Sequence, residues 1–419
     1  MSAPTASDTA RNATLADLAT LLQDQQTRKH DIVVPASKVR AEHGDLIVEG
    51  AEPEVEITEE GVTVISVDGR YTPTAICDEG IAAKLGVPTG YLRRTRNEFA
   101  SLYDANVNGW LHGYGDPDHD EDYRDGDDRS FLLRTFRGRD GEQGVARAFL
   151  SDSFKAIDNL DVLVAGLEGI RRSGTEIEIR GCDLTDRRMY IDVYAPAVAA
   201  MAPVLLGGYR NPFEDPEVEA ARRGGGSDLE YWRGVAAREG MGYEPGTEPV
   251  VFAGFRISNS EVGGGAFSIV PKLMVKVCRN GLVLNQDAIK NVHLGAKLEE
   301  GLVQWSAETQ RKALDLITSK AADAVATFLD AEYLQKALAR IEERAGKPVT
   351  EPEKQVKAVT KVLGFSEVEA AGVLGHFIRG GQMTAGGVVN AITSYSQTIA
   401  DADRADTLDG QALRALTLV

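Results

Sequence analysis

Between Phe255 and Gly281 the chain alternates apolar and polar residues on both sides of Gly263-Gly264-Gly265, and few architectures accept that pattern. A period of two places successive side chains on opposite faces of an extended strand, while glycine supplies the positive φ that a tight reversal needs. The segment Phe255-Arg256-Ile257-Ser258-Asn259-Ser260-Glu261 and the returning run from Phe267 to Cys278 are therefore expected to form a β-hairpin. Asn280-Gly281 supplies a second turn after it.

At 419 residues the chain exceeds one average domain and has ample material for a hydrophobic core without staples. Its 43% hydrophobic and 26% charged content argues against extensive disorder. Cys77, Cys182 and Cys278 form no C-x-x-C pair and suit a reducing cytoplasm as buried thiols. No window approaches the apolar length of a membrane span, and residues 1–14 lack the basic start and apolar centre of a signal peptide. A cytoplasmic protein with no membrane partner is expected. The net charge of −18 disfavours coating of DNA by the whole surface and leaves a local basic groove as the place for a polyanion.

The expected class is α+β, an antiparallel sheet-rich core with flanking helices, followed by a long helix and a small helical C-terminal unit. Residues 1–14 read as a disordered start, and 15–70 as a helix capped by Thr14 with a small sheet. Residues 71–300 form the main body. Within it a helix begins after Thr72-Pro73-Thr74, and a second from about Thr89 carries Tyr91, Leu92, Phe99, Leu102 and Tyr103 inward. Strands follow at 130–137, 144–150, 176–180 and 189–194, with Asp158 or Asn159 capping a helix from Leu160 to Ile170. Residues 203–248, carrying Gly224-Gly225-Gly226, read as an insertion with a short helix near Tyr231-Trp232-Arg233. Residues 301–419 are helical: Ser306 to Arg344 can run as one long helix or two in line, with Leu314, Ile317, Ala321, Val325, Phe328 and Leu329 at helical spacing, and Gly346-Lys347-Pro348 ends that run.

Chemistry-bearing patterns are sparse. The loop 116–128 crowds Asp116, Asp118, Asp120, Glu121, Asp122, Asp125, Asp127 and Asp128, but it lacks the sixth-position glycine and twelfth-position glutamate of a calcium loop. A solvated charge run explains it. The six histidines have no metal-ligand spacing, and nucleophile-elbow, phosphate-loop and kinase patterns are absent. No catalytic residue, metal site or cofactor is expected. The basic residues are more suggestive, because Lys272 and Lys276, four apart on one strand, share a face with Ser268. Arg256 on the partner strand, Arg279 at the strand end and the cluster Arg93, Arg94 and Arg96 extend a cationic strip if the sheet gathers them. Such a strip tracks phosphates. A solubilising face of ion pairs is the competing explanation.

The phrases Leu85-Gly86-Val87-Pro88, Leu150-Ser151-Asp152-Ser153-Phe154-Lys155-Ala156-Ile157-Asp158-Asn159, Phe255 to Glu261, Cys278-Arg279-Asn280-Gly281-Leu282 and Asn390-Ala391-Ile392-Thr393 carry a resemblance. The chain resembles the phage- and plasmid-like proteins grouped as domain-of-unknown-function family 932. That resemblance implies a mobile-element setting and no particular reaction. Non-catalytic binding or annealing of single-stranded DNA is the expected function, by analogy with single-strand annealing proteins. A metal-dependent nuclease and an interaction protein whose acidic loop engages a basic partner are the alternatives, and a homo-oligomer is left open.

Overall fold

The computed structural model describes residues 9–58, 61–139, 142–154, 157–210, 213, 250–265, 267–275, 281–283 and 307–419. Along the chain, β1 (Ala10–Ala13) leads through Thr14 into α1 (Leu15–Arg28), followed by β2 (Lys29–Pro35), β3 (Val39–Glu42), β4 (Asp45–Thr58) and β5 (Gly61–Pro73). Helices α2 (Ala75–Leu85), α3 (Thr89–Glu98) and α4 (Ala100–His112) precede the short strands β6 (Gly113–Tyr114) and β7 (Arg124–Asp125). Next come β8 (Ser130–Phe136), β9 (Gly144–Ser151), α5 (Asn159–Ser173), β10 (Glu178–Leu184), β11 (Met189–Met201) and α6 (Pro203–Leu206). The hairpin strands β12 (Val250–Asn259) and β13 (Ser268–Val275) are joined by β14 (Gly281–Val283). Helices α7 (Ala307–Phe328), α8 (Ala331–Ala345), α9 (Pro352–Val362), α10 (Glu367–Gly380), α11 (Ala385–Ser396), α12 (Ala402–Ala412) and α13 (Ala415–Leu418) complete the chain.

The strands build two six-stranded sheets, ordered β1-β10-β11-β12-β13-β14 and β2-β8-β9-β5-β4-β3, beside the two-stranded pair β6-β7. Pairing is antiparallel except between β5 and β9. The mixed, mainly antiparallel α+β class is thus as expected. The expected hairpin forms, with Ile257 opposite Ile269 and Ser258 opposite Ser268. Gly263 at φ +82° and Gly265 at φ +142° make the reversal.

Each sheet owns a core. Ile257, Ile269, Leu273 and Val275 of the hairpin face pack with α1, α5, α7 and α8, and Val356, Phe377, Ile392 and Leu408 of the C-terminal helices belong to the same cluster. Gly169 lets α5 and α7 approach closely: a Cβ there would lie 2.4 Å from the carbonyl oxygen of Thr318. The second core joins Leu46, Tyr71, Phe131 and Phe149 of the other sheet to Ile81, Leu92 and Tyr103 of α2–α4.

Several local expectations change. The segment 1–14 contains a strand, because β1 pairs with β10. The boundary drawn at residue 70 cuts through β5, since the early strands and β8–β9 share one sheet. Tyr91, Phe99 and Leu102, expected to point inward, are exposed, while Leu92 and Tyr103 are buried. The helix breaks at Phe99, whose φ of −145° resets the facing of α4. Of the two readings of the run 306–344, one long helix or two in line, the second holds, with Asp330 capping α8 through the amide of Tyr333. The acidic loop, a self-repelling run expected to stay extended, instead folds back on itself, since Gly113 and Tyr114 pair with Asp125 and Arg124. The Gly224 triplet and Tyr231-Trp232-Arg233 lie outside the described residues.

A buried polar seam connects the sheets. Arg134 on β8 is 1% exposed, bonds Asp31 at 2.9 Å and Asp158 at 2.7 Å, and donates to the carbonyl of Glu261 beyond β12 at 3.0 Å. Glu261 accepts the Asn159 amide at 2.5 Å and Arg147 at 2.8 Å. Asp158 stands at the N-cap position of α5 without capping it, because its carboxylate is spent on Arg134 and Lys29. Burial alone would raise the Asp158 carboxyl, but those two cations outweigh it and hold it below the usual range.

Candidate nucleic-acid interface

Alternation puts Ser268, Val270 and Lys272 on the face of β13 opposite the core residues, as the sequence predicts. That face is not open to solvent along its length. Lys272 is 2% exposed and Arg256 8% exposed. Arg256 lies opposite Asp192 of β11 and forks onto it at 2.6 and 2.7 Å, while Lys272 Nζ reaches the same carboxylate at 3.0 Å. Burial opposes ionisation of Asp192, yet Arg256 and Lys272 hold its carboxyl far below the normal range.

The cover is α12. Asp403, Asp406 and Asp409 follow one another at helical spacing along one face. Asp403 accepts the hydroxyls of Tyr190 at 2.7 Å and Thr185 at 2.9 Å, Asp406 accepts from Arg256, and Asp409 accepts Ser396 and lies 3.9 Å from Lys272. Burial raises the Asp409 carboxyl and lowers the Lys272 ammonium, whose neighbour Arg256 adds to that depression. The expected cationic strip is therefore corrected at its centre: Lys272 and Arg256 are internal counter-charges of the protein's own carboxylates.

The remaining candidates do not join them. Lys276 and Arg279 lie outside the described residues. On α3, Arg96 bonds Asp78 at 2.7 Å, Arg93 bonds Glu79 at 2.8 Å, and the outward Arg94 pairs with Glu98 at 3.0 Å. Arg93 lines a separate cleft of about 770 Å³ with Arg11, Glu79, Arg187 and Asp401.

What stays open is the turn end of the ribbon. There Ser258, Ser268 and Val270 of the ribbon line a groove of about 390 Å³ together with Arg188, with Thr407 and Gln411 of α12 and with Arg414 just beyond its C-terminal end. Ser258 and Ser268 hydroxyls lie 2.8 Å apart. Arg188 donates to the Gly264 carbonyl at 2.9 Å, and Arg414 to the Gln411 side chain at 2.7 Å. Neither forms an ion pair among the described residues, and Asp406, already engaged by Arg256, is the acidic residue lining the groove. Sequence reading found Ser268 but missed both arginines. The visible signal was the triplet Asp403, Asp406 and Asp409, a helical acidic face complementary to Arg256 and Lys272.

The acidic loop carries Asp116 to Asp122 exposed, and its carboxylates serve local backbone: Asp120 accepts the Asp116 amide at 2.7 Å and Asp116 the Asp118 amide at 3.0 Å. Among the described residues no group of His, Cys, Asp or Glu is arranged to hold a metal ion. No described helix is long and apolar enough to cross a membrane. Comparison with protein-family models, with curated proteins and with solved structures gave no match.

Proposed function

We propose that the protein binds single-stranded nucleic acid without catalysis, in a phage- or plasmid-type setting, through the groove at the turn end of the β12–β13 ribbon. One observation carries this reading: Arg188 and Arg414 line one groove together with the hydroxyl residues Ser258, Ser268 and Thr407, and neither is paired to a carboxylate among the described residues. In a chain of net charge −18, where Arg93, Arg94, Arg96, Arg256 and Lys272 are all neutralised locally, two uncompensated guanidiniums in one concavity are suited to phosphates.

The test is a salt-dependent titration of single-stranded DNA, duplex DNA and RNA against the parent and Arg188→Gln with Arg414→Gln. Losing two phosphate contacts should flatten the single-strand salt slope by roughly 1.4, at about 0.7 per contact. An unchanged slope removes the groove from the interface. No binding to any of the three polymers favours a second reading, supported by the exposure of Asp118, Asp120, Glu121 and Asp122, in which the acidic loop engages a basic protein partner.

A further inference from the structure

Arginines converge on a second cavity that the groove does not share. Arg28 at the end of α1, Arg137 and Arg139 after β8, and Arg147 on β9 line it together with Gln143. Phe136 organises two of them: the guanidinium carbon of Arg28 lies 4.9 Å and that of Arg147 4.2 Å from its ring centroid. Stacking of this kind restricts a long side chain that would otherwise lose rotamer freedom on binding.

Protein carboxylates use these arginines only in part. Arg137 reaches Glu52 through Nε at 2.8 Å, and Arg147 reaches Glu261 through Nη1 at 2.8 Å. Asp24 bridges Arg28 and Arg139 at 2.7 and 2.6 Å. Among the described residues, the two Nη atoms of Arg137 and the Nε and Nη2 of Arg147 meet no acceptor. Gln143 Nε2 is buried with no hydrogen-bond partner. A buried donor left unpaired costs roughly 1–3 kcal/mol, so the site calls for an acceptor. The cavity measures about 40 Å³, against the roughly 10–15 Å³ that admits one water. It has room for a small anionic group and none for a nucleobase.

We infer that this cavity binds a tetrahedral oxyanion of the phosphate class. Arg137, Arg147 and the Gln143 amide supply the donors, and Arg28 and Arg139 supply field. The planar guanidinium fork matches phosphate oxygens. Glu142 and Asp186 also line the cavity and oppose the anion, which places the affinity below that of an all-arginine site. The inference is independent of the groove, since none of these residues lines it. Free phosphate and the terminal phosphate of a strand present the same chemistry.

The experiment uses the full chain in two arms. Calorimetry measures inorganic phosphate against chloride at matched ionic strength, and a binding titration compares one single strand carrying either a 5′-phosphate or a 5′-hydroxyl. Arg137→Gln and Gln143→Leu serve as variants, the first at a side chain 44% exposed, so that folding is retained. Phosphate binding weakened about tenfold by each variant supports a free-anion site. A preference for the phosphorylated strand that Arg137→Gln abolishes supports a strand-end site. Absence of any phosphate-dependent effect in both arms, or effects that neither variant alters, overturns the inference. Variants at Arg188 and Arg414 change binding of the hydroxyl strand instead, which keeps failure of the groove separate.

Discussion

Asn259 Nδ2 donates to Asn159 Oδ1 at 2.9 Å across 100 residues of chain, fastening the end of β12 to the start of α5. Asn259 also reaches the Ile157 carbonyl at 2.9 Å, and Glu261 accepts the Asn159 amide at the start of α5. The phrases 150–159 and 255–261, distinctive as sequence, are thus two sides of one joint.

That joint should govern stability. Replacing Glu261 with Ala strips an acceptor from Arg147 and from the Asn159 amide and leaves Arg134 with less negative charge nearby. Breaking a buried charge pair in this way costs about 3–5 kcal/mol. Glu261→Gln, which keeps an acceptor for the amide, should cost less. Urea denaturation of both variants gives the comparison, and equal losses would mean that charge alone matters.

The ribbon carboxylates should behave unequally. Asp192 is the shared counter-charge of Arg256 and Lys272, so Asp192→Asn should lose about 3–5 kcal/mol. Asp409 carries a carboxyl raised by burial, and Asp409→Asn removes a charge that is costly to keep while retaining an oxygen for Ser396. That variant should lie within about 1 kcal/mol of the parent. Chemical denaturation of both checks the order. Lys272→Glu should fail to fold, so it cannot report on nucleic-acid binding.

Acid should weaken the C-terminal unit. The hydrogen bonds from Arg404 lower the Glu369 carboxyl to about 2 from its usual 4.5. A depressed carboxyl contributes stability that is complete above about pH 4.5 and fades as pH falls towards 2. Arg404→Gln should therefore cost about 1–2 kcal/mol at pH 7, allowing for screening at the partly open guanidinium. Melting curves of parent and variant should converge as pH falls through that window. A gap that persists undiminished at low pH would assign the effect to packing instead.

Cys182 is buried, and burial pushes its thiol up to about 12. Cys77 is fully buried, and its thiol is raised by the same cause. Both should resist a maleimide at neutral pH in the native protein and react after denaturation, read by mass spectrometry. Native labelling of either thiol would reveal local opening of its core.

Local chemistry was legible wherever it sufficed. Thr14 caps α1 with a full capping box, Thr74 caps α2, and the alternation around the glycine triplet sets the strand faces. These features depend on neighbours within a few residues, which a sequence displays directly. The reading of Asp158 or Asn159 as a cap shows the limit: Asp158 stands at the N-cap position, yet cations arrive from β2 and β8 and take its carboxylate.

The sequence by itself determined most of the elements, the two-faced ribbon and which of its faces is apolar, because periodicity and propensity are properties of short stretches, whereas β1 and the break at Phe99 needed the packed chain. Only the tertiary structure decided what lies over the polar face. Charge on a strand reads the same whether it meets solvent, phosphate or another helix. The α12 carboxylates, more than a hundred residues away, neutralise Arg256 and Lys272 and leave the open cationic surface to Arg188 and Arg414. Burial and pairing over such distances follow from packing of the whole chain, which no local pattern encodes.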